Sequence, residues 1–280
     1  MDSEKPPQLT EDDVPDPEEE QKRLAAAARE ANRLSELRLV LLGWRWPGKS
    51  LTGNTILGRE EFRLERAAEF CVKRQTEVEG RQVTIIDTPG WFSAQDTPPA
   101  YQQEMVRGAT LCGPPGPHAF LLVIPVGMFT EVDRARIEEH LALFGDHVWR
   151  HTLVVFTWAD VLRNMSIERH IKREGKDLQW VLEKCKRRYF VINNCIFGEH
   201  PQLRQLMEKV EKLVAEEGIY NPEEVDVKKK PLEKDENQTP NRELGARPKV
   251  NSALGLAKVG VDPPHSESQV TLWFQETSVS

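Results

Sequence analysis

The amino-acid sequence predicts an α/β fold of the doubly wound class, a mostly parallel sheet flanked by helices. Strand-like runs rich in apolar and β-branched residues alternate with runs in which apolar residues recur at helical spacing. Residues 118–125 form an almost continuous apolar run, typical of a parallel strand covered on both faces. A glycine-containing turn at residues 43–50 separates one such strand from a helix.

The N-terminal region is predicted to consist of a tail and a helix. Residues 1–17 are acidic and rich in proline, which predicts a disordered tail. Residues 18–36 are predicted as a helical lead-in, because acidic residues open the segment and apolar residues such as Leu24 and Ala27 fall on one face. That face either packs on the domain or binds a partner.

One α/β domain is predicted over residues 37–220. Its expected strands are residues 37–42, 81–86, 118–125, 152–156 and 189–192. Its expected helices are residues 51–57, 97–111, 130–144, 167–187 and 201–217. In the helix at 130–144 the expected core residues are Val132, Ile137, Leu141 and Phe144. Residues 62–79 are mixed in character and are predicted to be partly mobile.

The remaining residues, 221–280, lose all apolar periodicity and are predicted to be a disordered tail. The net charge of −7 argues against a nucleic-acid partner, because such proteins carry a basic patch. The 4 cysteines include no C-x-x-C pair and predict reduced thiols in the cytoplasm. The longest apolar run is too short for a transmembrane segment. His140, His147 and His151 lack a tight metal-ligand spacing and are interpreted as structural.

The most informative motif is the turn at residues 43–50, whose spacing is G-x-x-x-x-G-K-S. In this pattern backbone N–H groups surround a phosphate chain, and the N-terminus of the next helix adds positive potential. Lys49 would reach the β- and γ-phosphates, and the Ser50 hydroxyl would hold Mg²⁺. The alternative, a tight turn that happens to carry a lysine, is disfavoured by the flanking strand and helix. The predicted phosphate-binding residues are Gly43, Trp44, Arg45, Trp46, Pro47, Gly48, Lys49, Ser50 and Leu51.

A second motif on the phosphate side is Asp-Thr-Pro-Gly at residues 87–90, where a strand ends. Asp87 suits a contact to Mg²⁺ through water, and the Gly90 N–H could meet a γ-phosphate. Alone, this tetrapeptide is an ordinary turn. Its place after a phosphate loop and at the end of a second strand indicates a nucleotide switch.

A candidate base site is formed by Thr157 and Asp160, just beyond another strand. Ligands of open α/β sheets bind at the carboxyl ends of the strands. An aspartate there can accept hydrogen bonds from the N1 and N2 edge of guanine, which adenine does not offer. The alternative role for Asp160 is a helix cap.

Three separated runs resemble the immunity-associated GTPase family, also known as GIMAP or AIG-type. They are residues 39–62, with Gly-Asn-Thr-Ile-Leu-Gly at 53–58, then residues 116–123 with 129–131, and finally residues 188–194. The likeness covers about residues 37–218, and within the family it is greatest to fish members with a Trp-rich phosphate loop. It implies a P-loop GTPase-like fold.

The resemblance also implies a domain that binds GTP or GDP with Mg²⁺ and associates through its nucleotide-bound face, giving a nucleotide-dependent homodimer or oligomer. It implies that Asn193 or Asn194 lines the guanine pocket, the alternative being a polar strand end. It makes Arg107 a candidate arginine finger that acts across a dimer, the alternative being a solvated helix residue.

The sequence departs from the family pattern in three places. Pro47 has no N–H, so the loop loses one donor that is typically worth about 1.5–3 kcal/mol. The usual switch threonine has no clear match, since Ala68 stands near its position and Thr76 is the nearest threonine. Trp91 and Phe92 follow the second motif, where fast GTPases place a water-orienting glutamine, which predicts slow hydrolysis.

The expected function is that of a cytoplasmic guanine-nucleotide-binding protein that self-associates with GTP bound and hydrolyses it slowly. The alternative is a non-hydrolysing interaction module with weak nucleotide binding. Pro47, the missing threonine, and Trp158 in place of a common lysine favour this alternative. A P-loop ATPase is a third reading.

Overall fold

The computed structural model describes residues 17–31, 33–45, 48–64, 68–92, 95–194 and 200–225. All of them lie in the first of two units, Met1–Pro231, while the second, Leu232–Ser280, lies outside the described residues. The predicted tails therefore fall almost wholly outside the description. Within these residues, no helix combines the length and the apolar character needed to cross a membrane.

A six-stranded sheet forms the centre of the described fold, with strand order β2-β3-β1-β4-β5-β6. The strands are β1 (Glu36–Leu42), β2 (Val72–Val78), β3 (Arg81–Asp87), β4 (Ala119–Pro125), β5 (Thr152–Thr157) and β6 (Tyr189–Val191). All neighbouring pairs are parallel except β2 and β3, which are antiparallel. The predicted class, a doubly wound and mostly parallel sheet, is confirmed.

Helices cover both faces of this sheet. They are α2 (Lys49–Leu57), α3 (Pro99–Thr110), α4 (Glu131–Leu141), α5 (Ile167–Glu174), α6 (Lys176–Lys184) and α7 (Pro201–Glu217). A further helix, α1 (Pro17–Ala31), precedes β1. Alternate residues of β1 point to opposite faces. Leu39 packs in a core with α2 and α7, whereas Val40 packs in a second core with α3, α4 and α6. This double burial explains why β1 is apolar on both faces.

Several sequence expectations need correction. The stretch 62–79 contains β2, whose exposed, charged side chains hide the strand from an apolar pattern. The long helix predicted at 167–187 is two helices, because Gly175 adopts a positive φ of 83° between them. Val132 is 58% exposed and is not a core residue, while Leu24 on α1 is 65% exposed and does not pack on the domain.

A buried ion pair joins the sheet to α7. Arg81 at the start of β3 donates from Nε to Oε1 of Glu211 at 3.0 Å, and both side chains are about 95% buried, with exposures of 6% and 5%. The same carboxylate oxygen accepts the backbone N–H of Leu34 at 3.0 Å. Glu211 therefore ties the segment before β1, strand β3 and helix α7 together.

We expect Glu211→Ala to lower the free energy of unfolding by about 3 kcal/mol, because it leaves the Arg81 guanidinium buried without its main partner. Urea unfolding monitored by circular dichroism measures the loss. The matched control is Lys212→Ala. This side chain is 79% exposed, and its one ion pair among the described residues, to Glu216, is long at 4.0 Å. We expect that control to stay within about 0.5 kcal/mol of the parent. Equal stabilities of the two variants would contradict a structural role for the buried pair.

Candidate functional site

The turn between β1 and α2 requires glycine at both ends. Gly43 has a φ of 151°, and a Cβ atom there would lie 2.7 Å from the carbonyl oxygen of Val123 on β4. Gly48 caps the N-terminus of α2 in the left-handed conformation, with φ 88° and ψ 16°. A side chain is therefore excluded at Gly43 by steric overlap and disfavoured at Gly48 by the left-handed backbone. Trp46 and Pro47 lie outside the described residues.

Gly48 also marks where separate elements of the site meet. A Cβ atom on Gly48 would lie 3.7 Å from Nδ2 of Asn194 and 3.8 Å from Oγ1 of Thr157. Asn194 follows β6 and Thr157 ends β5. The predicted phosphate loop and two of the predicted base-site residues are thus neighbours at the carboxyl edge of the sheet, as expected for an open α/β fold.

Lys49 lies inside the loop and not on its surface. Its side chain is buried, and Nζ donates a hydrogen bond to the carbonyl oxygen of Trp44 at 3.2 Å. Burial lowers the pKa of Lys49, and the nearby Asp87 carboxylate partly opposes that shift. A phosphate group would supply the negative charge that this buried ammonium lacks.

Ser50 and Asp87 form the second polar pair of the site. The Ser50 hydroxyl donates to Oδ2 of Asp87 at 2.6 Å. Asp87 is 1% exposed, and among the described residues its Oδ1 has no hydrogen-bond partner. Burial raises the pKa of Asp87, while Lys49 and the Ser50 hydroxyl act against the shift.

This donor set fits Mg²⁺. Mg²⁺ prefers hard oxygen ligands, keeps several waters, and is usually held by one or two protein groups together with phosphates. A serine hydroxyl beside a carboxylate with one unused oxygen matches that requirement. No group of three or more His, Cys, Asp or Glu side chains able to hold a metal occurs in the described part of the chain. His140, one of the histidines interpreted as structural, forms a hydrogen bond between its Nε2 and Thr97 Oγ1 at 2.8 Å.

The segment that follows Asp87 packs directly on the phosphate loop. The Arg45 N–H donates to the Trp91 carbonyl at 2.9 Å, and the Trp91 N–H donates to the Gly43 carbonyl at 3.3 Å. A Cβ atom on Gly90 would overlap Arg45 Cα and lie 2.6 Å from the Trp44 carbonyl carbon. The two segments are therefore held together by backbone contacts that only a glycine at position 90 permits.

The Trp91 side chain fixes this contact from the other side. It is fully buried, its ring centroid lies 4.8 Å from that of His140, and the rings are stacked. The Trp44 ring is 5.5 Å away at a tilt of 56°. Trp91 Nε1 is buried and has no partner among the described residues. The sequence marked Trp91 as a departure from fast GTPases but gave no sign of this packing.

On the predicted base side of the site, Trp158 and Asp160 are exposed, whereas Lys49 and Asp87 are buried. Asp160 is exposed on a short turn of 3₁₀ helix, Ala159–Leu162, whose N-cap is Trp158, and no side-chain hydrogen bond caps it. The helix-cap alternative for Asp160 thus gains no support. Trp158 has a positive φ of 59° and is 43% exposed.

The two asparagines after β6 have different surroundings. Asn194 is buried, where it donates to Thr52 Oγ1 at 3.2 Å and accepts from Thr55 Oγ1 at 3.0 Å. It therefore holds α2 against the end of β6. Asn193 is exposed, and its backbone N–H and carbonyl bond to the Gln202 side chain. A role for either residue in the guanine pocket stays a prediction.

Arg107 already has a partner within the chain. It lies on α3, and its Nε and Nη2 donate to the two carboxylate oxygens of Glu104 at 2.8 and 2.9 Å. Glu104 also accepts the backbone N–H of Cys71 at 3.0 Å. The arginine-finger role stays a prediction, and it requires the guanidinium to leave Glu104.

The chain is similar in sequence to a known protein family and to several of its members. The AIG1 family matches residues 37–241. GTPase IMAP family member 8 from Rattus norvegicus is 36% identical over 200 residues, which is 69% of this chain and 29% of that protein. Immune-associated nucleotide-binding protein 5 from Arabidopsis thaliana is 32% identical over 182 residues, 62% of this chain and 60% of that protein. This chain thus spans less than a third of the rat relative.

A solved structure gives the same fold. Toc33 from Arabidopsis thaliana, crystallised in complex with GDP and Mg²⁺, superposes with a TM-score of 0.56 over 72% of this chain and 93% of that one. The sequence identity is 16%, so this similarity concerns the fold alone. The greater likeness to fish members stays a prediction.

We expect Gly90→Ala to separate residues 90–92 from the phosphate loop, because the new methyl group overlaps the backbone of Arg45. Amide hydrogen exchange should accelerate in peptides covering residues 38–52, and the free energy of unfolding should fall by about 1–3 kcal/mol. The control is Gly113→Ala, whose Cβ would meet nothing within 4 Å although its φ is also unfavourable at 72°. It should lose stability without faster exchange in the loop. Unchanged protection in Gly90→Ala would show that the contact is not as close as described.

Proposed function

This chain belongs to the AIG1 family of immunity-associated GTPases, and from that membership we propose that it binds GTP and GDP with Mg²⁺ at the carboxyl edge of its sheet. The observation that carries the proposal is the buried Lys49 inside a glycine-bounded loop, next to Asp87 with an unused oxygen. A bound nucleotide phosphate with Mg²⁺ satisfies both groups together.

Lys49, Ser50 and Asp87 have different roles in this proposal. Lys49 neutralises the β- and γ-phosphates, and the N-terminus of α2 directs its N–H groups at them. Ser50 would hold Mg²⁺ directly, and Asp87 would hold it through water. When bound, Mg²⁺ neutralises charge on the phosphate oxygens.

Guanine preference rests on Asp160. Its exposed carboxylate follows β5, three residues after Thr157, which lies beside the phosphate loop. A carboxylate can accept two hydrogen bonds from the N1–H and N2–H groups of guanine, whereas adenine carries only acceptors or C–H along the matching edge. The GTPase names of the relatives support the same choice.

Slow hydrolysis is the second part of the proposal. Trp91 stands where a fast GTPase has a glutamine that orients the attacking water. An indole has one N–H donor and no acceptor, and this one is buried against His140. Trp91 is thus unsuited to hold a water in line with the γ-phosphate.

Self-association through the nucleotide-bound face is the third part. For the chloroplast translocon components atToc33 and psToc159, which are related in fold, dimerisation is important for the GTPase activity. In this chain Arg107 is 47% exposed and could turn from Glu104 towards a partner. A cytoplasmic location is also proposed, supported by the free thiols of Cys71, Cys112 and Cys185.

The second candidate function is an interaction module that binds nucleotide weakly. It is favoured by the Arg45 N–H, which already donates to the Trp91 carbonyl and so does not point freely at a phosphate. Pro47 removes one further donor. Each missing charge-assisted hydrogen bond costs about 1.5–3 kcal/mol, enough to weaken binding greatly when two are lost.

We expect Lys49→Ala to weaken GTP and GDP binding by at least about 100-fold, since it removes the only buried cation described in the loop. Isothermal titration of the parent with GTP, GDP and ATP should show a preference for the guanine nucleotides, and Asp160→Ala should abolish that preference. Lys212→Ala, on the far end of α7, is the control and should bind like the parent. Equal affinity for GTP and ATP in the parent would rule out the guanine assignment, and very weak binding of all three would favour the interaction module.

We expect Arg107→Ala to lower GTP turnover per protomer at high protein concentration and to have little effect at low concentration. The reason is that an arginine finger supplied to the partner's nucleotide acts only when the protein is dimeric. Phosphate release measured over a range of protein concentrations tests this. Arg187→Ala is the control, since that side chain is 77% exposed and pairs only with Glu183 in the described structure. Turnover that is independent of concentration in every variant would argue against the finger.

A further inference from the structure

The loop after α2 is fixed at one point next to the phosphate site. Asn54 on α2 is fully buried, and its Oδ1 accepts the backbone N–H groups of Glu61 at 3.0 Å and Phe62 at 2.8 Å. Its Nδ2 donates to the Phe62 carbonyl at 2.9 Å. The Phe62 ring fills the space beside Gly53, where a Cβ atom would lie 2.7 Å from it. Arg63 therefore starts from a well-anchored backbone position.

Arg63 lines a cavity that reaches Asp87. The cavity has a volume of about 240 Å³, and its lining residues are Glu61, Phe62, Arg63, Ala68, Val72, Arg74 and Asp87. Asp87 is the residue whose buried Oδ1 has no hydrogen-bond partner among those described. The cavity thus joins the Mg²⁺ side of the site to the loop that carries Arg63.

Charge pairing distinguishes Arg63 from its neighbours. Arg59 lies 2.6 Å from Glu61, and Arg74 lies 3.2 Å from the other oxygen of the same carboxylate. Within the described part of the chain, Arg63 has neither an ion pair nor a hydrogen bond. Of the two described arginines that line the cavity, Arg63 is the one without an ion pair to a described carboxylate.

We propose that Arg63 contacts the terminal phosphate of the nucleotide from within the same chain and stabilises the charge that develops there during hydrolysis. The proposal rests on the proposed function, because it needs a bound nucleoside triphosphate. An arginine supplied in cis can stabilise a phosphoryl-transfer transition state as one supplied by a partner does. Its planar guanidinium donates to two phosphate oxygens together.

The assisted step is the hydrolysis of GTP. The oxygen of a water bonds to the γ-phosphorus while the bond from that phosphorus to the β–γ bridging oxygen breaks. The bridging oxygen leaves with the electron pair as part of GDP, and the proton lost by the water is carried by the released phosphate. Arg63 donates hydrogen bonds to the γ-phosphate oxygens throughout, so it provides a basal rate that does not depend on Arg107 or on a second protomer.

Arg63→Ala tests the proposal through two readouts on the full chain. At low protein concentration the single-turnover rate of GTP hydrolysis should fall by about 100-fold or more. The ratio of GTP to GDP affinity should fall by about 10-fold, since only GTP carries the phosphate that Arg63 contacts. Arg63→Lys should restore part of the affinity ratio and little of the rate, because an ammonium lacks the planar two-point contact.

Arg59→Ala is the matched control. Arg59 lies in the same loop, is 57% exposed and pairs with Glu61, so its loss should leave both readouts unchanged. A parent protein that binds neither nucleotide would overturn the proposed function and this proposal with it. A parent that binds GTP, with Arg63→Ala unchanged in rate and affinity ratio, would overturn the Arg63 assignment alone.

Discussion

The burial of two opposite charges, Lys49 and Asp87, is the constraint on which the rest of the site depends. Desolvation lowers the pKa of Lys49 and raises the pKa of Asp87, which favours the neutral form of each group. Each charge opposes the pKa shift of the other only in part. A fold selected for stability alone would place apolar groups here. The glycines at 43 and 48 and the hydroxyl of Ser50 serve this pair by bringing backbone and side-chain dipoles close to it. A phosphate group and a cation bound at this site would compensate both buried charges.

The parallel strands were predictable because burial on both faces makes them mostly apolar, as in β1 and β4. Strand β2 was not, because it lies at the edge of the sheet and its charged side chains face solvent. The break at Gly175 was also missed, since the apolar spacing continues across it and only the backbone torsion marks the end of α5. Val132 has the right spacing for the core but lies on the first turn of α4, where no neighbouring element covers it.

The site was predictable as far as the topology determines it. The ends of parallel strands meet at one edge, so motifs that follow β1, β3 and β5 had to converge, and the structure places Gly48 beside Thr157 and Asn194. Contacts between side chains far apart in sequence were not predictable. The stacking of Trp91 on His140 depends on which surfaces the folded chain brings together, and so does the lack of a partner for Arg63 among the described residues.

The stacked rings around Trp91 give the protein an intrinsic spectroscopic probe. The emission of an indole depends on the polarity of its surroundings and on quenching groups nearby, and the Trp44 ring is only 5.5 Å from Trp91. An imidazole lies on the opposite side of the same indole, at 4.8 Å. A movement that parts residues 90–92 from the phosphate loop alters the distance between the Trp44 and Trp91 rings. The chain carries 7 tryptophans, so the emission of this pair adds to that of the others and changes when the two rings separate.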